Sequence, residues 1–117
     1  MSNFDITDIL TEDFPVIGVS GYLAAEAGER LHEVVFRHLK EGRVKIILDF
    51  ANCTLINSPG AVILTDLILE VSQDYKGMVI AVGLDGVKIT ILKMTGAANY
   101  CQTGKNIQEG VDKLKKE

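Results

Sequence analysis

The residues with the most chemical potential lie together in Asn57-Ser58-Pro59-Gly60, at the junction of two unlike stretches. Before them runs VKIILDF, which is apolar and β-prone; after them comes AVILTDLILEVSQDY, whose apolar residues recur at helical spacing. A serine hydroxyl can accept a hydrogen bond from an unpaired N–H at a helix start, and proline is tolerated at the first helical position. Ser58 followed by Pro59 therefore predicts a helix capped by Ser58. Gly60 is not explained by the helix, because glycine in a helix interior costs up to ~1 kcal/mol relative to alanine. It predicts that some group approaches the backbone closely there.

The other reactive side chains do not assemble into a catalytic pattern. His32 and His38 are six residues apart on one predicted helix, so they point in different directions and cannot share a metal; both are expected at the surface or its boundary. Cys53 and Cys101 form no CxxC pair and lie in or after apolar stretches, where a reduced thiol acts as a small hydrophobe. GLDG and GAANYCQTGK contain glycine turns but miss the G-x-x-x-x-G-K-(S/T) spacing of a phosphate-cradling loop. No Ser-His-Asp order, paired carboxylates or H-E-x-x-H is evident. Neither an enzyme, a metal site nor a cofactor is expected.

The elements around the junction follow from periodicity. FDITDIL and PVIGVS, separated by TEDF, read as an antiparallel hairpin. From Ala24 to Glu41, Ala27, Leu31, Val34, Val35 and Leu39 recur at helical spacing, and Gly42 supplies the left-handed residue that ends the helix. VKIILDF reads as a strand buried on both faces, and GMVIAVG as a second, parallel to it because a helix-length crossover separates them. In that crossover Leu64, Leu67, Ile68, Val71 and Tyr75 form the buried stripe. Val62 and Leu69, seven positions apart beside Thr65, Asp66 and Gln73, are left on the wet face and predict a docking surface. A short helix from Asp85–Gly86 through VKITILKM to Gly96, a weak strand around NYC, and a last helix from Asn106 to Lys115 complete the chain. The fold class is α/β: one domain over 1–117, a mixed, mostly parallel central sheet with about four helices, in the order β-β-α-β-α-β-α-β-α.

Composition narrows the function classes. The chain of 117 residues can bury one core, and its net charge of −4 lacks the basic stripe that nucleic-acid binding requires. The terminal KLKKE is too short to recruit nucleic acid or a membrane and suits a helix C-terminus. MSNFDITDIL lacks a secretory signal, and Asp66 and Glu70 interrupt the most hydrophobic later segment, so a cytoplasmic protein without membrane insertion is expected.

The run VKIILDFANCTLINSPGAVILTDL resembles the STAS domain pattern, in which a buried strand, a short loop and an Asp-Ser-(Ser/Thr)-Gly motif lead into an amphipathic helix. The resemblance extends to GYL in the loop before the first helix, to KMTG at the place of a Met-Ser-Gly segment, and to the order of elements over nearly the whole chain. It is similar above all to bacterial anti-sigma factor antagonists. The resemblance implies a non-enzymatic regulator that binds an anti-sigma factor acting also as a serine kinase, with Ser58 as the phosphorylated residue and only the unmodified form binding. The partner surface it implies comprises Tyr22, Leu23, Ala24, Asn57, Ser58, Pro59, Gly60, Val62 and Leu69, and a homodimer is compatible with it. The chain departs from the pattern at Asn57, where aspartate is usual; at Pro59, where a small hydroxyl residue is common; and at Ala24, where an aspartate often follows Gly-x-(Leu/Ile). The two missing acids keep open an alternative: a STAS scaffold or adaptor subunit of a larger signalling or transport assembly, not switched by phosphate.

Overall fold

The computed structural model describes residues 3–117. Its order is β1 (Phe4–Thr11), β2 (Phe14–Leu23), α1 (Ala25–Lys40), β3 (Lys45–Ile56), α2 (Ser58–Leu69), β4 (Met78–Val82), α3 (Gly86–Thr95), β5 (Gln102–Gly104) and α4 (Ile107–Lys115). A π-helical turn, Glu70–Asp74, prolongs α2, and a 3₁₀ turn, Ala97–Asn99, precedes β5. The five strands form one sheet in sequence order, with β1 antiparallel to β2 and every other neighbour parallel. This is the expected α/β architecture and element order.

The hairpin closes through Glu12 and Asp13, both in the left-handed region at φ 51° and 72°. That is the two-residue turn whose twist matches paired strands. Parallel strands then require helical crossovers, and α1, α2 and α3 provide them on one face. Leu31, Val34 and Val35 of α1, Leu64, Leu67 and Ile68 of α2, and Leu92 of α3 pack there with Ile17, Val19, Ile46, Leu48, Phe50, Val79 and Ala81 of the sheet. On the other face α4 lays Val111 and Leu114 over Val16, Ile47, Ile80 and Val82. Ile46, Ile47 and Leu48 are therefore buried from both sides, which explains their unbroken apolar run. Gly42 ends α1 at φ 87°, as its position predicts.

Three boundaries differ from the sequence expectation. Gly21, Tyr22 and Leu23 are the end of β2, not a loop, because they pair with β3 through Cys53, Leu55 and Ile56. For the same reason ANCTLI is strand up to Ile56, and no loop separates β3 from the helix. The last strand is Gln102–Gly104, with Asn99 in the 3₁₀ turn, since these three residues are the ones in register with Ile80–Val82 of β4.

Candidate functional site

Because β2, β3 and β4 are parallel, the helices following them all start at the same end of the sheet. The Asn57–Gly60 junction lies at that end. Asn57 is extended (φ −91°, ψ 176°), and its Oδ1 accepts a hydrogen bond from the Gly60 N–H at 2.9 Å. Asn57, not Ser58, is thus the cap; Ser58 and Pro59 are the first two helical residues. Asparagine caps at least as well as serine, and proline costs nothing in a first turn whose N–H groups lack helical partners. The consequence is chemical: Ser58 is exposed, and no protein hydrogen bond holds its hydroxyl among the described residues.

The close approach at Gly60 comes from the chain itself. A Cβ there would lie 2.0 Å from the Leu23 carbonyl oxygen and 3.2 Å from the Ala24 Cα. The end of β2 presses on the first turn of α2, and the Asn57 N–H donates to the Leu23 carbonyl at 3.2 Å. Gly60 is buried and contributes spacing, not contact surface. Ala24 caps α1 without any side-chain hydrogen bond, so the helix whose start touches Gly60 has no side-chain cap.

The predicted contact residues divide. Ser58, Pro59 and Val62 are exposed, and Tyr22, Ala24 and Asn57 are half-buried at the same end. Leu23 is fully buried in the core, so its side chain cannot meet a partner, and only its carbonyl takes part in the junction. Leu69 is separated from Ser58: it borders a hollow with Asp66, Glu70, Gln73, Asp74 and Tyr100 at the other end of the helix. Seven residues of helix advance about 10 Å, so Val62 and Leu69 share a face without sharing a site.

In place of Leu69 the structure brings α3. A groove of about 350 Å³ runs between α2 and α3, lined by Ile56, Asn57, Ser58, Ala61, Val62, Ile91, Met94 and Thr95. Val62 and Met94 of its lining are 57 and 80% exposed, and Val87, in an adjoining hollow that shares Ile91 and Met94, is 67% exposed. Val87, Ile91 and Met94 recur at i, i+4, i+7, a legible helical stripe that sequence reasoning missed because such a stripe ordinarily faces a core. Here α3 is turned the other way, with Lys88 and Leu92 as its buried residues. Lys88 is tolerated because its Nζ meets Asp85 Oδ2 at 2.7 Å, while Asp85 Oδ1 caps the helix through the Lys88 N–H at 2.9 Å. The Lys88 contact holds the Asp85 carboxyl below its ordinary value.

The remaining candidates are structural. Burial pushes the Cys53 thiol upward and the Cys101 thiol up to about 11, so neither is a ready nucleophile near neutral pH. His32 Nε2 lies 3.2 Å from Glu70 Oε2. His38, expected near the surface, is buried between Asp8, 2.7 Å from its Nε2, and Arg43, whose Nε donates to its Nδ1 at 3.0 Å. Among the described residues no three metal-ligating side chains cluster, and no helix is long and apolar enough to cross a membrane.

No family model matches the sequence, and comparison with curated proteins finds no match. Solved structures do match over nearly the whole chain. The anti-sigma factor antagonist SpoIIAA in its unphosphorylated form is 17% identical, with 96% of this chain and 97% of that one covered at a TM-score of 0.74. A serine-to-glutamate variant of RsbS from Moorella thermoacetica is 17% identical, with 95% of each chain covered at 0.78. An anti-sigma factor antagonist from Mycobacterium paratuberculosis is 12% identical, with 96% and 94% covered at 0.80. At these identities the likeness is one of fold, and the fold is that of the STAS anti-sigma factor antagonists.

Proposed function

We propose that this chain is an anti-sigma factor antagonist, a cytoplasmic protein that binds an anti-sigma factor with serine-kinase activity through the Ser58 end of the sheet and lets go when Ser58 is phosphorylated. It acts by binding, not by catalysis. The observation carrying this reading is the Ser58 hydroxyl, released by Asn57 from capping duty and lining one groove with the exposed apolar side chains of Val62 and Met94. A kinase could transfer the γ-phosphoryl group of ATP to Oγ, the serine proton leaving and ADP departing, without disturbing a hydrogen bond of the fold.

The local backbone explains why such a charge would act on a partner. A helix N-terminus normally offers N–H groups to a phosphate. Here Pro59 has none, and the Gly60 N–H already serves Asn57. Lys88, the buried cation of α3, is engaged by Asp85. A phosphate on Ser58 would therefore be weakly neutralised within the domain, and a partner covering that groove would have to desolvate it. Modification would end binding without unfolding the protein.

The test is incubation with ATP and the cognate anti-sigma kinase, followed by intact-mass and peptide analysis. One phosphate at Ser58, absent in Ser58→Ala, is expected, together with loss of partner binding by Ser58→Asp. An unmodified mass with unchanged Ser58→Asp binding would instead favour the unswitched scaffold, the reading prompted by the missing acids at Asn57 and Ala24.

A further inference from the structure

We infer that β1 is a self-association edge, and that two copies of this chain join through it as an antiparallel pair centred on Thr7, making one continuous sheet. The inference is independent of the role assigned to Ser58.

The two ends of the sheet are treated differently. β5 is a three-residue strand, too short to template another chain. β1 is eight residues long, FDITDILT, with no proline, lysine or glycine. Proline, lysine and bulges protect natural edges from pairing, as other charged side chains do; the charges on this edge are Asp5 and Asp8, which any pairing must keep apart. Residues Thr7 to Leu10 are all exposed, and Ile9 and Leu10 are 56 and 53% exposed.

The register of the hairpin shows which backbone groups are free. The Tyr22 N–H donates to the Asn3 carbonyl, and the strand pairing continues from Phe4–Gly21 to Thr11–Phe14 in that phase. Hydrogen-bonded pairs alternate in an antiparallel ladder, so Asp5, Thr7, Ile9 and Thr11 bond inward to β2. Phe4, Ile6, Asp8 and Leu10 consequently direct their N–H and C=O groups outward. A second copy can engage these groups only in registers related by two-residue steps. Centred on Asp8, the two Asp8 carboxylates would oppose each other, which is unfavourable. Centred on Ile6, Leu10 would have no partner among the outward-directed residues. Centred on Thr7, every outward residue is used: Phe4 pairs with Leu10 of the second copy, Ile6 with Asp8, and reciprocally. The carboxylates are then kept apart, Asp5 facing Ile9 and Asp8 facing Ile6, while the two threonines meet at the dyad. Asp8 stays on the face where it holds His38.

This self-complementarity favours a second copy over an unrelated peptide, since an isologous interface requires one surface to fit itself. The dyad reverses strand direction, so the Ser58 ends of the two copies point opposite ways and both stay open.

Sedimentation velocity on the full chain from about 10 µM to about 1 mM should show the 12.8 kDa monomer giving way to a species of about twice that mass. Leu10→Pro, which removes an outward donor and no bond to β2, and Leu10→Lys should remain monomeric with a circular-dichroism melt close to the parent's. Thr7→Cys should cross-link as a dimer under mild oxidation, because directly opposed residues of a non-hydrogen-bonded pair are about 4.5 Å apart at Cα, within disulfide range. Ile9→Cys, whose counterpart is four residues out of register, should not, and neither should the parent with its native cysteines. A protein that stays monomeric throughout, a dimer that survives Leu10→Pro, or equal cross-linking of Thr7→Cys and Ile9→Cys would overturn the assignment.

Discussion

Alanine substitutions at adjacent residues, Asn57 and Ser58, separate the two ways in which this junction could be built. If serine capped α2, Ser58→Ala would cost about 1 kcal/mol and Asn57→Ala little. The structure reverses this. Asn57 Oδ1 bonds the Gly60 N–H at 2.9 Å, so Asn57→Ala removes the cap and is expected to cost about 1 kcal/mol, within a range of about 0.5–2. Ser58 is exposed and has no hydrogen-bond partner among the described residues, so Ser58→Ala should fall within about 0.5 kcal/mol of the parent. The double variant adds a further reading. In Asn57→Ala the helix could begin one residue later, with Ser58 as the substitute cap and Pro59 moved to the first position. Removing both should then cost more than the two single losses together, a coupling that a double-mutant cycle measures. Urea unfolding is a suitable assay: with a slope of about 1–3 kcal/mol per molar, a loss of 1 kcal/mol moves the midpoint by about 0.3–1 M. A large loss in Ser58→Ala beside a negligible one in Asn57→Ala would refute the geometry on which the free hydroxyl rests.

Other expectations test the surroundings of the site. Gly60→Ala forces a Cβ to 2.0 Å from the Leu23 carbonyl, a backbone group that cannot swing aside, and should destabilise by about 1–3 kcal/mol in a thermal or urea melt. Ala24→Ser gives α1 the side-chain cap it lacks and should stabilise by about 0.5–2 kcal/mol, seen as a rise in Tm. Met94→Ser, at a side chain 80% exposed, should leave the melt within about 0.5 kcal/mol of the parent yet weaken, by calorimetry, binding to the anti-sigma factor proposed as its partner. Burial raises the Cys101 thiol from 9.0 to about 11. Its stabilisation is thus complete below about pH 9 and lost as pH rises from there through 11; native-state alkylation of Cys101 should be slow at pH 8 and climb toward pH 11.

Much of the architecture was legible in local pattern. The unbroken apolar run at Ile46–Leu48, the stripe Leu64–Leu67–Ile68–Val71, and the glycines at 42 and 96 report burial on two faces, burial on one face, and helix ends. Element order follows from these. The site was legible in part: Ser58 and Val62 stand where their types and spacing suggested, whereas Leu23 and Leu69 do not. Leu23 was read as a loop residue because a strand's last turn of pairing leaves no periodic signature. Leu69 was grouped with Val62 because a helical wheel records angle and discards the distance along the axis.

What the sequence determined alone is everything that depends on neighbours in the chain: which segments bury a face, where helices start and stop, and that Ser58 stands at a strand-to-helix junction. Even there it left open which of two adjacent residues caps the helix, since both Asn57 and Ser58 are competent and only the position of the Gly60 N–H decides. The tertiary structure alone decided what surrounds the hydroxyl. Gly60 gives way to the Leu23 carbonyl from a strand more than thirty residues earlier, and Val62 acquires Ile91 and Met94 from a helix about as far downstream. Such contacts are set by sheet order and by the rotation of α3 that buries Lys88 against Asp85, and neither quantity has a period that a single stretch of sequence could display.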